Sequence, residues 1–209
     1  IFDNDLGPNT GGMGAYSPAP VVTQTVHDNA MEQVLRRAVD GMAAEGRPYH
    51  GVLYAGLMVT GDKIKTLEFN ARFGDPECQP LLMRMKSDII PVLMAVANGD
   101  LSGVKIEWHD KAAVCVVMAA EGYPGDYRKG DEISGLDDAA KLADVYVFHA
   151  GTALSNYCCV TNGGRVLGVT ALGDTVQQAI DGAYKAVDLV QWPGAQYRKD
   201  IGRKALGRI

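Results

Sequence analysis

Residues 112–119 read AAVCVVMA, eight positions without a charged or strongly polar side chain. The run is far shorter than the roughly 18 apolar residues that mark a membrane-spanning helix. It predicts a buried strand around which the neighbouring segments must pack. Those segments have the right character. Residues 122–126 (GYPGD) form a turn, and residues 145–149, 157–161 and 165–172 read as further strands. Asn162-Gly163-Gly164 is the expected hairpin connection between the last two. Asp174 or Thr175 then caps a helix with Ala179, Ile180, Ala183, Val187 and Val190 on its inner face, and Trp192-Pro193-Gly194 stops it. The basic tail, residues 197–208, is expected to dock back as a short helix.

The first hundred residues are patterned differently. Residues 3–20 hold several glycines and prolines and read as an ordered loop. From Thr25 the spacing of Met31, Val34, Leu35, Ala38, Val39 and Met42 is that of an amphipathic helix, with Gly46 and Pro48 past its end. Residues 52–59 and 63–70 form a hairpin about Thr60-Gly61-Asp62. A short helix follows over residues 76–85. Ser87-Asp88 caps another, with Ile89, Val92, Leu93 and Val96 inward and Asn98-Gly99-Asp100 at its end. The change of character near residues 102–107 suggests an α+β protein in two parts, residues 1–103 and 104–209. The first is expected to hold a mostly antiparallel sheet with helices on one side, the second to be β-rich and closed by the 174–190 helix.

At 209 residues the chain can bury a sizeable core. A net charge of −5 argues against a general polyanion binder such as a nucleic-acid protein, although a local basic pocket can still hold phosphate. No membrane span or signal peptide is visible. Cys78, Cys115, Cys158 and Cys159 form no CxxC or Cys/His cluster and read as reduced thiols of a cytoplasmic protein. The chain opens on Ile1-Phe2 instead of Met, straight into a motif, which suggests a fragment; a mature protein after signal cleavage is the alternative.

Two motifs carry chemistry. In the second hairpin strand, side chains alternate, so Glu68 and Asn70 share a face roughly 7 Å apart while Leu67 and Phe69 share the other. A carboxylate and an amide oxygen so placed suit Mg²⁺, which takes one or two protein ligands and fills its shell from water and phosphates. The same pattern also suits a solvated edge strand. Residues 72–77 (RFGDPE) follow at once. Arg72 is suited to bidentate capture of a carboxylate or phosphate, and Asp75-Pro76 to starting a helix; a salt-bridged strand-to-helix turn is the plainer account. Residues 7–14 (GPNTGGMG) can present consecutive backbone N–H groups as an anion nest, or form a structural Ω-loop. They match neither the Walker A nor the GxGxxG pattern. The four histidines are scattered and read as structural or surface residues.

GPNTGGMGAYSP at 7–18 and LEFNARFGDPE at 67–77, continued by LLMRMKSD at 81–88, VVMAAEGYPGDYRKGD at 116–131, FHAGT at 148–152, VTNGGRVLGVTALG at 160–173 and YRKDIG at 197–202, resemble the phosphoribosylamine–glycine ligase (glycinamide ribonucleotide synthetase) family of the ATP-grasp superfamily. The likeness spans essentially the whole chain. It implies that residues 1–103 are the C-terminal part of an ATP-grasp domain and 104–209 the C-terminal domain. It implies a reaction in which ATP phosphorylates the carboxylate of free glycine and the amine of 5-phosphoribosylamine displaces the phosphate, giving glycinamide ribonucleotide in purine biosynthesis. Glu68 and Asn70 match the family's positions for Mg²⁺ (or Mn²⁺). Arg72 is implied to hold the glycine carboxylate or acyl phosphate, Asp75 to place substrate, and Thr10, Gly11, Gly12 and Met13 to line the substrate and phosphate pocket.

The family's enzymes are about twice this length. The resemblance therefore implies that the N-terminal half of the enzyme, with the first part of the grasp fold, is a missing partner, that the chain is inactive alone, and that its uncovered edge self-associates. Residues 155–159 (SNYCC) depart from the more polar, glycine-containing hairpin expected there. Three other readings stay open: another ATP-grasp ligase or carboxylase, a non-catalytic binding module, or part of a multifunctional purine enzyme.

Overall fold

The computed structural model describes residues 1–207. In chain order the first elements are a 3-10 turn (Asp3–Asp5), β1 (Gly14–Ser17), α1 (Gln24–Ala30), a π-helical stretch (Met31–Leu35) and α2 (Arg36–Ala44). Next come β2 (Tyr54–Thr60), β3 (Lys63–Asn70), α3 (Cys78–Arg84), α4 (Ile89–Asn98) and β4 (Ala112–Ala119). The remainder is α5 (Leu136–Ala139), β5 (Val145–His149), β6 (Thr152–Ser155), β7 (Cys158–Thr161), β8 (Arg165–Gly173), α6 (Val176–Val187) and α7 (Arg203–Leu206). The protein is α+β, and the chain divides into two compact units that share it in pieces. One comprises Ile1–Pro18, Asp75–Arg84 and everything from His109 onward; the other comprises Ala19–Gly74 and Met85–Trp108.

The first unit is built around β4, the apolar run, all eight of whose residues are buried. It lies inside an antiparallel sheet of order β1-β4-β8-β5. Alternate side chains of β4 serve two faces. Ala112, Val114, Val116 and Met118 belong to the main core with Ala179, Ile180 and Ala183 of α6. On the other face Val117 and Ala119 pack with Met13, and α3 crosses β4 and β8. The α6 helix starts in a capping box: the Thr175 hydroxyl accepts from the Gln178 N–H and the Gln178 side chain accepts from the Thr175 N–H. Its expected inner face is buried throughout, although the helix closes at Val187, before the Trp192-Pro193-Gly194 stop.

Two strand assignments differ from expectation. Residues 14–17, read as loop, are β1, with Gly14 opposite Val116 and Ser17 opposite Ala113. Gly14 is the entry point because a Cβ there would lie 2.7 Å from the Cys115 carbonyl oxygen. The expected hairpin about residues 162–164 does not form. Instead β7 turns back on β6, with Ser155 opposite Cys158, while β8 enters the main sheet. The two-residue turn is Asn156-Tyr157, both at positive φ (47° and 67°), the geometry that hairpins of this length require. Gly163 serves a different end: a Cβ on it would sit 2.8 Å from the Gly151 Cα, so the two glycines permit a close crossing.

The basic tail docks as expected, its single helical turn α7 burying Ala205; Arg208 lies outside the described residues. Arg198 makes a bidentate pair with Asp200 (2.7 Å at both oxygens) and also reaches Asp5 at 3.0 Å. Asn4 donates its backbone N–H to Asp200, and Lys199 donates its own to Asp3. Residues 3–5, immediately before the glycine-rich loop, are thereby fastened to the tail.

In the second unit β2 and β3 form the expected hairpin, with Tyr54 opposite Asn70 and Gly56 opposite Glu68 and a bulge at Gly56/Leu57. The antiparallel sheet expected within residues 1–103 is here this two-stranded ribbon alone, since β1 pairs elsewhere. Thr23 caps α1, which runs through the π-helical stretch into α2 without leaving helical backbone angles. Asp88 caps α4 by accepting from Ile90, and Gly99 closes it in the left-handed conformation. Ile89, Val92 and Val96 are half-buried as expected, whereas Leu93 is exposed. Among the described residues, no helix is long and apolar enough to cross a membrane.

Two outcomes follow from this packing. Leu167 on β8 is 1% exposed and Leu67 on β3 is 64% exposed. Leu167→Ala should therefore cost about 2–5 kcal/mol and Leu67→Ala no more than about 0.5 kcal/mol, as read by urea denaturation. The second concerns pH. Arg198, and the Asn4 N–H beside it, hold the Asp200 carboxyl down at about 2. A folded-state value below the unfolded one gives stability that is present above about pH 4 and is lost as pH falls toward 2. Asp200→Asn should lower the melting temperature at pH 6 and flatten its fall between pH 5 and pH 2.

Candidate functional site

The strand β3 brings Glu68 and Asn70 together as its alternation demands. The Asn70 amide nitrogen donates to Glu68 Oε1 at 3.0 Å, so the two side chains turn toward each other on one face. Gly56, directly opposite Glu68, makes room for this: a Cβ at Gly56 would stand 3.1 Å from Glu68 Cγ. Two oxygen-bearing side chains in contact on a rigid hairpin suit a small, hard cation that keeps most of its ligands from water or phosphate. Among the described residues no group of three or more His, Cys, Asp or Glu converges at this pair or at any other place. Arg72, just past the strand in the same unit, is exposed. Its guanidinium donates to the Phe73 carbonyl at 3.0 Å through one nitrogen. Under the hairpin, α2 and β3 leave a cavity of about 250 Å³ lined by Val39, Met42, Tyr49, Leu53, Phe69 and Asn70 among others.

Thr10, Gly11, Gly12, Met13 and Asp75 lie in the other unit and form a second cluster. Asp75 does not act as a helix cap; α3 begins at Cys78. Both of its carboxylate oxygens are held by side chains instead. Arg165 pairs with Oδ2 at 2.8 Å and the Gln79 amide donates to Oδ1 at 3.3 Å. The carboxylate nevertheless stays 51% exposed, fixed in direction and open on one side.

The glycine-rich loop is ordered by the same arginine. Arg165 Nη1 donates to the carbonyls of Gly11 (2.9 Å), Gly12 (3.2 Å) and Asp75 (2.7 Å). On the N–H side, Gly11 donates to the Tyr123 hydroxyl and Gly12 to the Thr10 hydroxyl, both at 3.2 Å. These two amides, two of the donors an anion nest would use, thus already have protein acceptors. Gly12 is required as glycine twice over: its φ is +113°, and a Cβ would fall 2.6 Å from Pro76 Cδ. Met13 is 5% exposed and packs on Val117 and Ala119, so its side chain anchors the loop from below.

The neighbouring thiols are poor nucleophiles. Burial, and secondarily the charge of Asp75, pushes Cys78 up from the ordinary thiol range. Burial pushes Cys115 up to about 12.

Four contributors escaped the sequence reading: Arg165, Tyr123, Gln79 and Gly56. Arg165 had one visible signal, a cation opening the otherwise apolar run VLGVTAL. Tyr123 sat in a segment read only as a turn. Nothing in the spacing singled out Gln79 or Gly56, whose roles come from tertiary neighbours.

The model of the phosphoribosylglycinamide synthetase ATP-grasp (A) domain matches residues 1–78, and that of the phosphoribosylglycinamide synthetase C domain matches residues 113–204. A phosphoribosylamine–glycine ligase of Yersinia pestis is 54% identical over 210 residues, covering 100% of this chain and 49% of that protein. A chloroplastic phosphoribosylamine–glycine ligase of Arabidopsis thaliana is 53% identical, covering 99% of this chain and 40% of its own length. The crystal structure of phosphoribosylamine–glycine ligase from Thermotoga maritima superposes with a TM-score of 0.84 at 34% identity, covering 95% of this chain and 48% of that one. The chain thus spans about half the length of the bacterial relatives it matches. With both domain models and these identities falling across one continuous sequence, the chain belongs to the phosphoribosylglycinamide synthetase family.

Proposed function

We propose that this chain serves the ATP-dependent ligation of free glycine to 5-phosphoribosylamine, giving glycinamide ribonucleotide, ADP and phosphate in purine biosynthesis. The observation that carries the reading is the Glu68–Asn70 pair, a carboxylate accepting from the neighbouring amide N–H on one strand face, so that both oxygen-bearing side chains are held together within the segment matched by an ATP-grasp domain model. Residues 1–103 are proposed as the C-terminal part of that grasp domain and residues 104–209 as the C-terminal domain, working in the cytoplasm. The remaining elements of an ATP site are proposed to come from the part of the relatives' length that this chain does not span.

Glu68 and Asn70 would hold Mg²⁺ or Mn²⁺, to which the carboxylate brings charge and the amide a neutral oxygen. When bound there, the ion would supply neutralisation of phosphate charge during transfer from ATP to the glycine carboxylate. Arg72 spends one nitrogen on the backbone and keeps donors free for a carboxylate or acyl phosphate. The exposed side of Asp75 suits the amine of phosphoribosylamine, accepting its hydrogen bond and fixing its approach. The loop at Thr10–Met13 would wall this place off and exclude water.

The test is ADP release with Mg-ATP, glycine and phosphoribosylamine. The chain alone should show no glycine-dependent turnover. Joined to the portion of the Yersinia pestis relative outside the matched span, it should turn over. Glycine-dependent activity of the chain by itself would refute the division of labour, and none in the joined enzyme would refute the reaction. In the active form, Glu68→Gln should raise the Mg²⁺ concentration for half-maximal rate by about 10–100-fold or more, the scale on which metal-site groups act, while leaving the melting temperature within a few degrees because Glu68 is exposed.

A further inference from the structure

The geometry points to Arg165 as the positioning residue of this site, holding the substrate loop and Asp75 in one fixed arrangement. The inference rests on the reaction proposed above but stands on its own contacts. A single guanidinium donates to three carbonyls, those of Gly11, Gly12 and Asp75, and forms an ion pair with the Asp75 carboxylate. Its side chain is 20% exposed, against 51% for Asp75. The cation is largely sheltered behind the loop while its anionic partner faces outward.

The chemistry explains why arginine stands here. One nitrogen must serve three acceptors while the other reaches a carboxylate oxygen, which needs a planar, permanently charged fork. Lysine offers a single point of charge and cannot span both sets. Gly11 lies tight against the guanidinium: a Cβ on it would meet Arg165 Cζ at 3.2 Å, so a side chain there would crowd the fork. Tyr123 closes the arrangement from the opposite side by accepting the Gly11 N–H. The loop peptide between Thr10 and Gly12 is thus gripped at both its carbonyl and its amide edges. Arg165 belongs to β8, the strand paired with β4. The direction of the Asp75 carboxylate is therefore referred to the central sheet, not to the loop itself.

A residue acting in this way changes substrate placement without changing the ATP or metal requirement. Three forms are to be compared: Arg165, Arg165→Lys and Arg165→Met. The first readout is hydrogen–deuterium exchange of the peptide spanning residues 7–14 in the chain as it stands, which needs no turnover. Arg165→Met should speed exchange there at least tenfold, with strands β4 and β8 unchanged, and Arg165→Lys should fall between. The second readout is kinetics in the joined enzyme. Arg165→Met should raise KM for glycine or phosphoribosylamine at least tenfold and leave KM for ATP within twofold, and Arg165→Lys should recover only part of the loss. Unchanged loop exchange overturns the inference, as does an equal loss of protection across β4 and β8, which would make Arg165 a general stabiliser. A uniform fall in kcat with every KM unchanged also overturns it. If unmodified joined enzyme lacks glycine-dependent turnover, the proposed reaction fails and the exchange result alone decides the role of Arg165.

Discussion

Strand β4 has no face left for water. Its even-numbered residues are packed into the α6 core and its odd-numbered ones lie under the loop and α3, so every neighbouring element is placed by the need to cover it. A strand buried on both sides contributes roughly 1.5–3 kcal/mol for each large apolar side chain removed from water. It also tolerates no slip in register, because a shift of one residue would exchange the two faces. The glycine-rich loop inherits that precision. It leaves residues 3–5, which the tail clamps, and ends in β1, which is hydrogen-bonded along β4.

Much of this was legible in the sequence. An unbroken apolar octet, a helix with 3.6-residue spacing from Ala179 to Val187, and an alternating strand ending in Glu68-Phe69-Asn70 are local patterns, and each element formed where its pattern lay. The same alternation placed Glu68 and Asn70 side by side, and the structure adds only their contact. What the sequence hid was partnership. Gly163-Gly164 has the composition of a hairpin turn. Which strands lie on either side of it, however, was decided by Asn156-Tyr157 adopting left-handed backbone angles and by the tight meeting of Gly163 with Gly151. Gly14-Ala15-Tyr16-Ser17 carries no strand pattern at all and becomes β1 only because β4 offers an edge.

Asp75 shows the same limit at the site. Asp-Pro before a helix reads as a cap, and the local rule is sound. Yet a distant cation on β8 and an amide from α3 captured the carboxylate. Local and tertiary preferences conflict most often where function has fixed a geometry, and here the conflict falls on a residue that the family resemblance had already marked.

The chain passes between the two units four times, at Pro18/Ala19, Gly74/Asp75, Arg84/Met85 and Trp108/His109. This has a consequence for how the molecule is made. β2 and β3 can close as soon as both have been synthesised, since a two-residue turn joins them. β1 must wait for β4, with Ser17 meeting Ala113, and β4 must wait for β8, with Ala112 meeting Gly173. Such distant pairings form slowly because long loops must close before any contact rewards them. The β2–β3 ribbon bearing Glu68 and Asn70 thus needs only local closure, whereas the ordering of the glycine-rich loop and the covering of the β4 octet need partners far along the chain. The two clusters therefore differ in kind: one is assembled from neighbours in sequence, the other only once Ala112 has met Gly173 across the sheet.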